Sequence, residues 1–213
     1  MKYKPSAVVA LVLAAVALSP VAAQASFAPR VSLNISPATP RATPAIDATL
    51  TEATGDTPPR RFTLSFPRGF ALKHPSGVET CSTRQRRAHR CRRASEIGSV
   101  AAVTPAGLRL HGTVNMARKG RSREIAVLLH GAGSVPDTGF VGYARVSPLG
   151  SPQLTLDRLP NMALSSLTVR LTGGKRGLVS TPRGCGAQTV QGLLTSQLGE
   201  LAVGISPVQI AGC

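Results

Sequence analysis

Beyond residue 60 the apolar side chains recur at every second position more often than at every third or fourth. That is the spacing of half-buried strands rather than of an amphipathic helix. Phe62, Leu64 and Phe66 alternate with Thr63 and Ser65; Leu108, Leu110 and Val114 flank His111; Ile125, Val127 and Leu129 follow a basic turn at residues 117–123. Leu154 and Leu156 continue the pattern, as do Leu167, Val169 and Leu171, which run into Gly173-Gly174, a pair suited to a hairpin turn. Val190, Leu201, Val203, Ile205, Val208 and Ile210 repeat it toward the C-terminus. Short strands punctuated by glycine and proline predict an all-β fold, a single β-sandwich or barrel-like domain of short antiparallel strands. Helix signals are poor. The best stretch, residues 82–94, has good helix formers but almost no apolar stripe, so a loop with a single helical turn is expected there.

The first 60 residues read differently. Lys2 and Lys4 precede an apolar run over residues 7–18, then Pro20 and the small-residue tripeptide Ala23-Gln24-Ala25. This is the pattern of a secretory signal peptide cleaved before Ser26. The run is shorter than the roughly 20 residues of a bilayer-spanning helix, and no later segment is continuously apolar. Residues 26–60 are rich in Pro, Ala and Thr, with prolines at 29, 37, 40, 44, 58 and 59. Val31, Leu33 and Ile35 could alternate in one strand; the rest reads as a flexible linker or peripheral arm, because proline denies donors to a ladder. The expected organisation is therefore a signal peptide at 1–25, an arm at 26–60 and a β domain at 61–213, secreted or associated with the cell envelope.

Charge and cysteine usage sharpen this picture. The chain carries a formal net charge of +16, and removing the leader with Lys2 and Lys4, which holds no acid, leaves +14. Trp is absent and aromatics make up 3%, so the core must be aliphatic and stacking platforms for bases or sugars are not expected. The four cysteines fall into two pairs, Cys81 with Cys91 and Cys185 with Cys213. Of the three connectivities that four cysteines allow, the sequential one is favoured because each pair brackets a local unit. Bridges closing loops of roughly 10 to 30 residues stabilise by about 2–4 kcal/mol in the chain-entropy model. No C-x2-C spacing occurs and the one nearby histidine is His89, so neither a metal nor a cofactor is expected.

Several short strings occur in a familiar order. Gly77-Val78, Cys81 and Cys91 are followed by Ala94-Ser95-Glu96-Ile97-Gly98-Ser99-Val100; Leu159-Pro160 precedes the Leu167 to Leu171 strand; Pro182 to Cys185 and the terminal Val208 to Cys213 close the chain. This series resembles a β-rich module of secreted actinobacterial proteins over roughly residues 62–213. The chain departs from it in having Arg92 where a proline usually follows the second cysteine, and in its heavily basic loop. The resemblance implies an exported, envelope-associated or extracellular β domain with no established activity.

The strongest local feature is that loop. Arg84, Arg86, Arg87, Arg90, Arg92 and Arg93, with His89, crowd between and around Cys81 and Cys91. A bridge there would hold six guanidinium groups together, and guanidinium forks bind phosphate and carboxylate bidentately. The partner this implies is an anionic envelope polymer, teichoic-type or acidic glycan, or another envelope protein. The competing account is a solvated loop in a generally basic chain. Nucleic acid is disfavoured because no aromatic residues interleave with the arginines. Arg118, Lys119, Arg121 and Arg123 form a second basic cluster, expected at a hairpin tip, and Lys175 and Arg176 a third.

Enzymatic signals are thin. Val127 to Gly133, with His130 in the middle, looks like the strand and oxyanion loop of an α/β-hydrolase, but no G-x-S-x-G occurs and no histidine follows His130. His74, His89, His111 and His130 lack ligand spacing, and the nine acids are too dispersed for paired acid–base roles. The expectation is a non-catalytic binding or structural module; the alternative is a secreted hydrolase with a site around His130 and His111.

Overall fold

The computed structural model describes residues 27–118 and 123–213, so the signal-peptide pattern, Lys119 and Arg121 lie outside the described residues. The alternation over residues 62–210 does build strands. In chain order these are β1 (Arg30–Ser36), β2 (Ala45–Thr51), β3 (Pro59–Ser65), β4 (Ala71–Leu72), β5 (Glu96–Val103), β6 (Arg109–Arg118), β7 (Arg123–His130), β8 (Thr138–Val146), β9 (Pro152–Asp157), β10 (Ser166–Leu171), β11 (Val179–Ser180), β12 (Gly186–Ser196) and β13 (Leu201–Ile210). Eleven of them form one antiparallel sheet in the order β1-β2-β10-β5-β6-β7-β8-β9-β3-β12-β13, while β4 and β11 pair separately.

The sheet curls until its two edges meet. Val31 of β1 packs across the gap: a methyl group on Gly204 of β13 would come within 2.9 Å of Val31 Cβ, and one on Gly192 of β12 within 3.3 Å of its Cγ1. The two glycines make room for this inward valine. No ladder joins β1 to β13, but the Ala211 N–H donates to the Ala38 carbonyl at 2.9 Å just beyond the strands. The result is a nearly closed barrel. Its inward rows, including Leu50, Phe62, Val127, Leu156, Val169 and Leu194, form one core, mainly aliphatic, that also takes in Phe66, Phe70 and Phe140. A void of about 30 Å³ remains between Ile46, Phe62, Ile125 and Leu156, about enough for one water molecule. Apart from that void the interior is filled by side chains, and the larger clefts lie outside it.

Both expected disulfides are present, Cys81–Cys91 with Cα atoms 5.3 Å apart and Cys185–Cys213 with 5.9 Å. The second braces the open ends of β12 and β13, where Gly186 lies opposite Ile210.

Three expectations need correction. The expected arm at 26–60 is, over its described residues 27–60, no peripheral arm: β1 and β2 are full members of the barrel, and Ile46, Ala48 and Leu50 point into its core. The prolines do not prevent this, because Pro37, Pro40 and Pro44 fall in the β1–β2 connection and Pro59 opens β3, where a missing N–H is tolerated. Gly173-Gly174 does not turn a hairpin; β10 lies between β2 and β5, and the chain leaves through a 3-10 turn at Gly174–Arg176. Gly173 is needed for close approach, since a Cβ there would meet Ala45 N at 2.7 Å. Finally, Leu201, Val203 and Ile205 face outward, and the inward row of β13 is carried by Ser206, Val208 and Ile210.

The Ser95-x-Ile97-Gly98 string has a physical role. Ser95 Oγ lies 3.1 Å from buried Asn115 Oδ1 on β6, Ile97 is fully buried, and Gly98 lets the Arg170 carbonyl of β10 approach where a Cβ would collide. The string seats the end of the disulfide loop onto the sheet.

Candidate functional site

Between the two cysteines of the first bridge the chain makes one short helix, α1 (Thr83–Arg87). Ser82 and Gln85 form a capping box: the Gln85 N–H donates to Ser82 Oγ at 3.3 Å, and the Ser82 N–H donates to Gln85 Oε1 at 2.8 Å. The helical turn ends at His89, whose φ of 50° lies in the left-handed region, and the disulfide closes immediately after. Arg84, Arg86 and Arg87 lie in the last turn, where cations complement the helix dipole. The expectation of a disulfide-closed loop with one helical turn holds.

The loop lies on the outer face of the barrel. β7 contains the continuous apolar run Ile125-Ala126-Val127-Leu128-Leu129, and all five side chains are buried. Ile125, Val127 and Leu129 belong to the core, whereas Ala126 and Leu128 face outward beneath the loop. A continuous apolar strand is the signature of burial on both faces. The loop is anchored at its base, where the Cys81 N–H donates to the Met116 carbonyl at 2.7 Å. Arg176 Nη1 donates to the Glu96 carbonyl at 3.1 Å and tethers the segment following Cys91.

Between loop and sheet lies a cleft of about 260 Å³, walled by Thr83, Arg86, Arg87 and His89 and floored by Ala126, Leu128, Gly139, Phe140 and Val141. Gly139 on β8 lies under the His89 ring: a methyl there would sit at ordinary contact distance, 3.5 Å, from His89 Cε1. Arg86 donates from Nη1 to Glu124 at 2.5 Å and from Nη2 to Thr83 Oγ1 at 3.2 Å. Its Nε and the Nδ1 of His89 are buried without a hydrogen-bond partner.

The six arginines do not act alike. Arg86 is committed to Glu124, and Arg92 lies 3.9 Å from Glu79 with both side chains largely exposed. Arg84, Arg87, Arg90 and Arg93 make no ion pair among the described residues and stand exposed around the cleft and loop. No protein-family model matches the chain, and neither does any curated protein.

Sequence reasoning found the arginines but missed their setting. Glu124 and the His89 ring, which fix Arg86 and the cleft, carry no motif of their own. The apolar run of β7 was a usable signal. The other basic clusters divide: Arg176 is structural, and Arg123, a buried neighbour of the β6–β7 hairpin tip, has its pKa lowered by burial.

His111 and His130 are cross-strand partners on β6 and β7, both exposed. Asp137 Oδ1 accepts the Gly131 N–H at 2.8 Å, and Oδ2 lies 3.6 Å from His130 Nδ1. The Gly131 hydrogen bond, with the nearby imidazoles adding to it, holds the Asp137 carboxyl below the usual carboxylate range. Among the described residues no hydroxyl or thiol hydrogen-bonds to either histidine, so the two imidazoles and one carboxylate are brought together without a nucleophile between them.

Proposed function

We propose that the chain is an exported, non-catalytic binding module of the cell envelope whose disulfide loop grips an anionic polymer. One observation carries this reading: three arginines without acidic partners, Arg84, Arg87 and Arg90, ride on a loop fixed by a disulfide, a capping box and the Arg86–Glu124 pair, and a fourth, Arg93, stands two residues beyond the closing cysteine. Mutual repulsion would spread such charges on a loose loop; here the covalent and hydrogen-bonded frame holds them together, preorganised for an opposite charge. Arg87, exposed on the wall of the adjoining cleft, places one of these guanidinium groups where phosphate or carboxylate oxygens can reach it. Export is supported by the leader pattern of residues 1–25 and by two disulfides, which persist in oxidising compartments.

The test is binding of the oxidised protein to purified wall polymer, phosphate-rich or uronate-rich, at low and at physiological salt. Affinity should fall steeply with salt, and replacing Arg84, Arg87, Arg90 and Arg93 together by Gln should weaken it at least about tenfold, since each charge-assisted contact is worth a kcal/mol or more. All four positions are exposed, so the variant should keep its thermal stability. Wild-type binding that ignores salt, or undiminished binding by the variant, would reject the reading.

A further inference from the structure

Of the seven large hydrophobic side chains left exposed among the described residues, five sit on one hairpin: Leu193, Leu198, Leu201, Val203 and Ile205 of β12–β13 and its tip, each 43–77% exposed. Their placement follows from strand parity. Leu193 lies directly opposite Val203, while Leu201 and Ile205 occupy the same outward row of β13 on either side, opposite Thr195 and Gln191. Leu198 projects from the turn. Together they expose on the order of 500 Å² of aliphatic surface, near the upper limit for the largest apolar patch on an ordinary monomer. The core does not require them there, because the inward row of the same strand is complete without them.

The rim of this patch is basic. Arg61 lies opposite Thr195 in the adjacent outward row of β3, and the exposed Arg60 and Arg158 stand at the same end of the barrel as the hairpin tip, where β3 begins and just after β9 ends. Arg30 is exposed across the seam, next to the Val31 that packs on Gly204. Arg61 is paired with Asp157 at 2.8 Å, but Arg30, Arg60 and Arg158 make no ion pair among the described residues. The acid on the hairpin, Glu200, accepts a hydrogen bond from Ser196 at 2.9 Å within the turn. An aliphatic ridge bordered by unpaired cations matches the two components of interfacial lipid binding, apolar insertion and attraction to anionic headgroups. A second copy of the chain is a poorer occupant, since it would bring one basic rim against another on a protein of net charge +16. We infer that the β12–β13 hairpin docks on the surface of an anionic lipid bilayer.

This surface is separate from the arginine loop. Around the barrel β13 lies five strands from β7, on the side opposite the cleft. The two sites can therefore be tested apart.

The test is co-flotation of the oxidised protein with phosphatidylcholine vesicles, with and without about one-third phosphatidylglycerol. Expected are binding to the anionic vesicles, little to the neutral ones, and a loss of at least about tenfold on replacing Leu198, Leu201 and Ile205 together by Ser or Thr. Because those side chains are exposed, circular dichroism and thermal unfolding should show the variant folded. The Arg84, Arg87, Arg90 and Arg93→Gln variant should keep most of its vesicle binding even where it loses polymer binding, so failure here is distinct from failure of the polymer reading. Any of three results would overturn the inference: no binding to anionic vesicles; equal loss in the loop variant, meaning charge alone acts; or a wild-type dimer in solution that the hairpin substitutions dissolve.

Discussion

Glu52 follows β2 at one end of the barrel and is 8% exposed, with Oε1 lacking any hydrogen-bond partner. Burial pushes its carboxyl up from 4.5 to about 7, against a hydrogen bond from the Leu164 backbone that lowers it, with Asp56 nearby adding to the rise. A group held more weakly acidic in the fold than in the unfolded chain opposes folding once it must ionise. The penalty is absent below about pH 4.5, grows as pH rises through the interval to about 7, and is constant above it. A shift of this size corresponds to about 3 kcal/mol, and screening by nearby solvent lowers the working value to about 2 kcal/mol. Glu52→Gln keeps the shape and an acceptor for Leu164 while removing the charge. It should stabilise the protein by about 2 kcal/mol at pH 8, roughly 4–8 °C in Tm for a domain of this size, and by close to nothing at pH 4. The measurement is the difference between wild-type and variant urea midpoints across that range with disulfides intact. The difference isolates Glu52 from groups of opposite sign such as Asp137, whose lowered pKa adds stability that is lost as pH falls. A difference independent of pH would refute the account.

Two further outcomes follow from backbone crowding and the first disulfide. Gly98→Ala places a methyl against the Arg170 carbonyl of β10 and should cost about 3 kcal/mol or more in urea unfolding, whereas Gly107→Ala, with φ of 79° but open space around it, should cost about 1 kcal/mol; equal costs would mean that strand contact at Gly98 is not the cause. Replacing Cys81 and Cys91 together by Ser should lower stability by about 2–3 kcal/mol and weaken polymer binding through lost preorganisation, while hydrogen exchange speeds up in α1 and stays slow in β7; unchanged protection of α1 would show that the capping box and the Arg86–Glu124 pair suffice to hold the loop.

How far the sequence could be read depended on what each residue had to announce. Alternation at Phe62, Leu64 and Phe66 located β3 because large inward side chains alternate with hydroxyls that face out. Ile46, Ala48 and Leu50 follow the same rule, but a small central alanine and the surrounding prolines disguised β2 as linker. The hairpin face was concealed by phase. Leu201, Val203 and Ile205 occupy odd positions and Val208 and Ile210 even ones, so one unbulged strand cannot bury both sets, and only the even set could point inward. At the candidate site, the cysteine spacing and arginine density were legible. The Arg86–Glu124 pair joins residues 38 apart, and His89 and Gly139 line one cleft only because the loop lies across β8; no local pattern encodes either.

The seam between β1 and β13 has a consequence for how the molecule is made. Its mating surfaces come from the two extremes of the described chain, Val31 near one end and Gly192 and Gly204 near the other, and Cys213 must arrive before the second bridge can close. A chain that lacks β12 and β13 can pair the other nine strands of the sheet but cannot shut the cylinder. Shutting the cylinder therefore joins segments roughly 160 residues or more apart, the kind of non-local closure whose entropic cost slows folding and leaves strand edges open until it is complete.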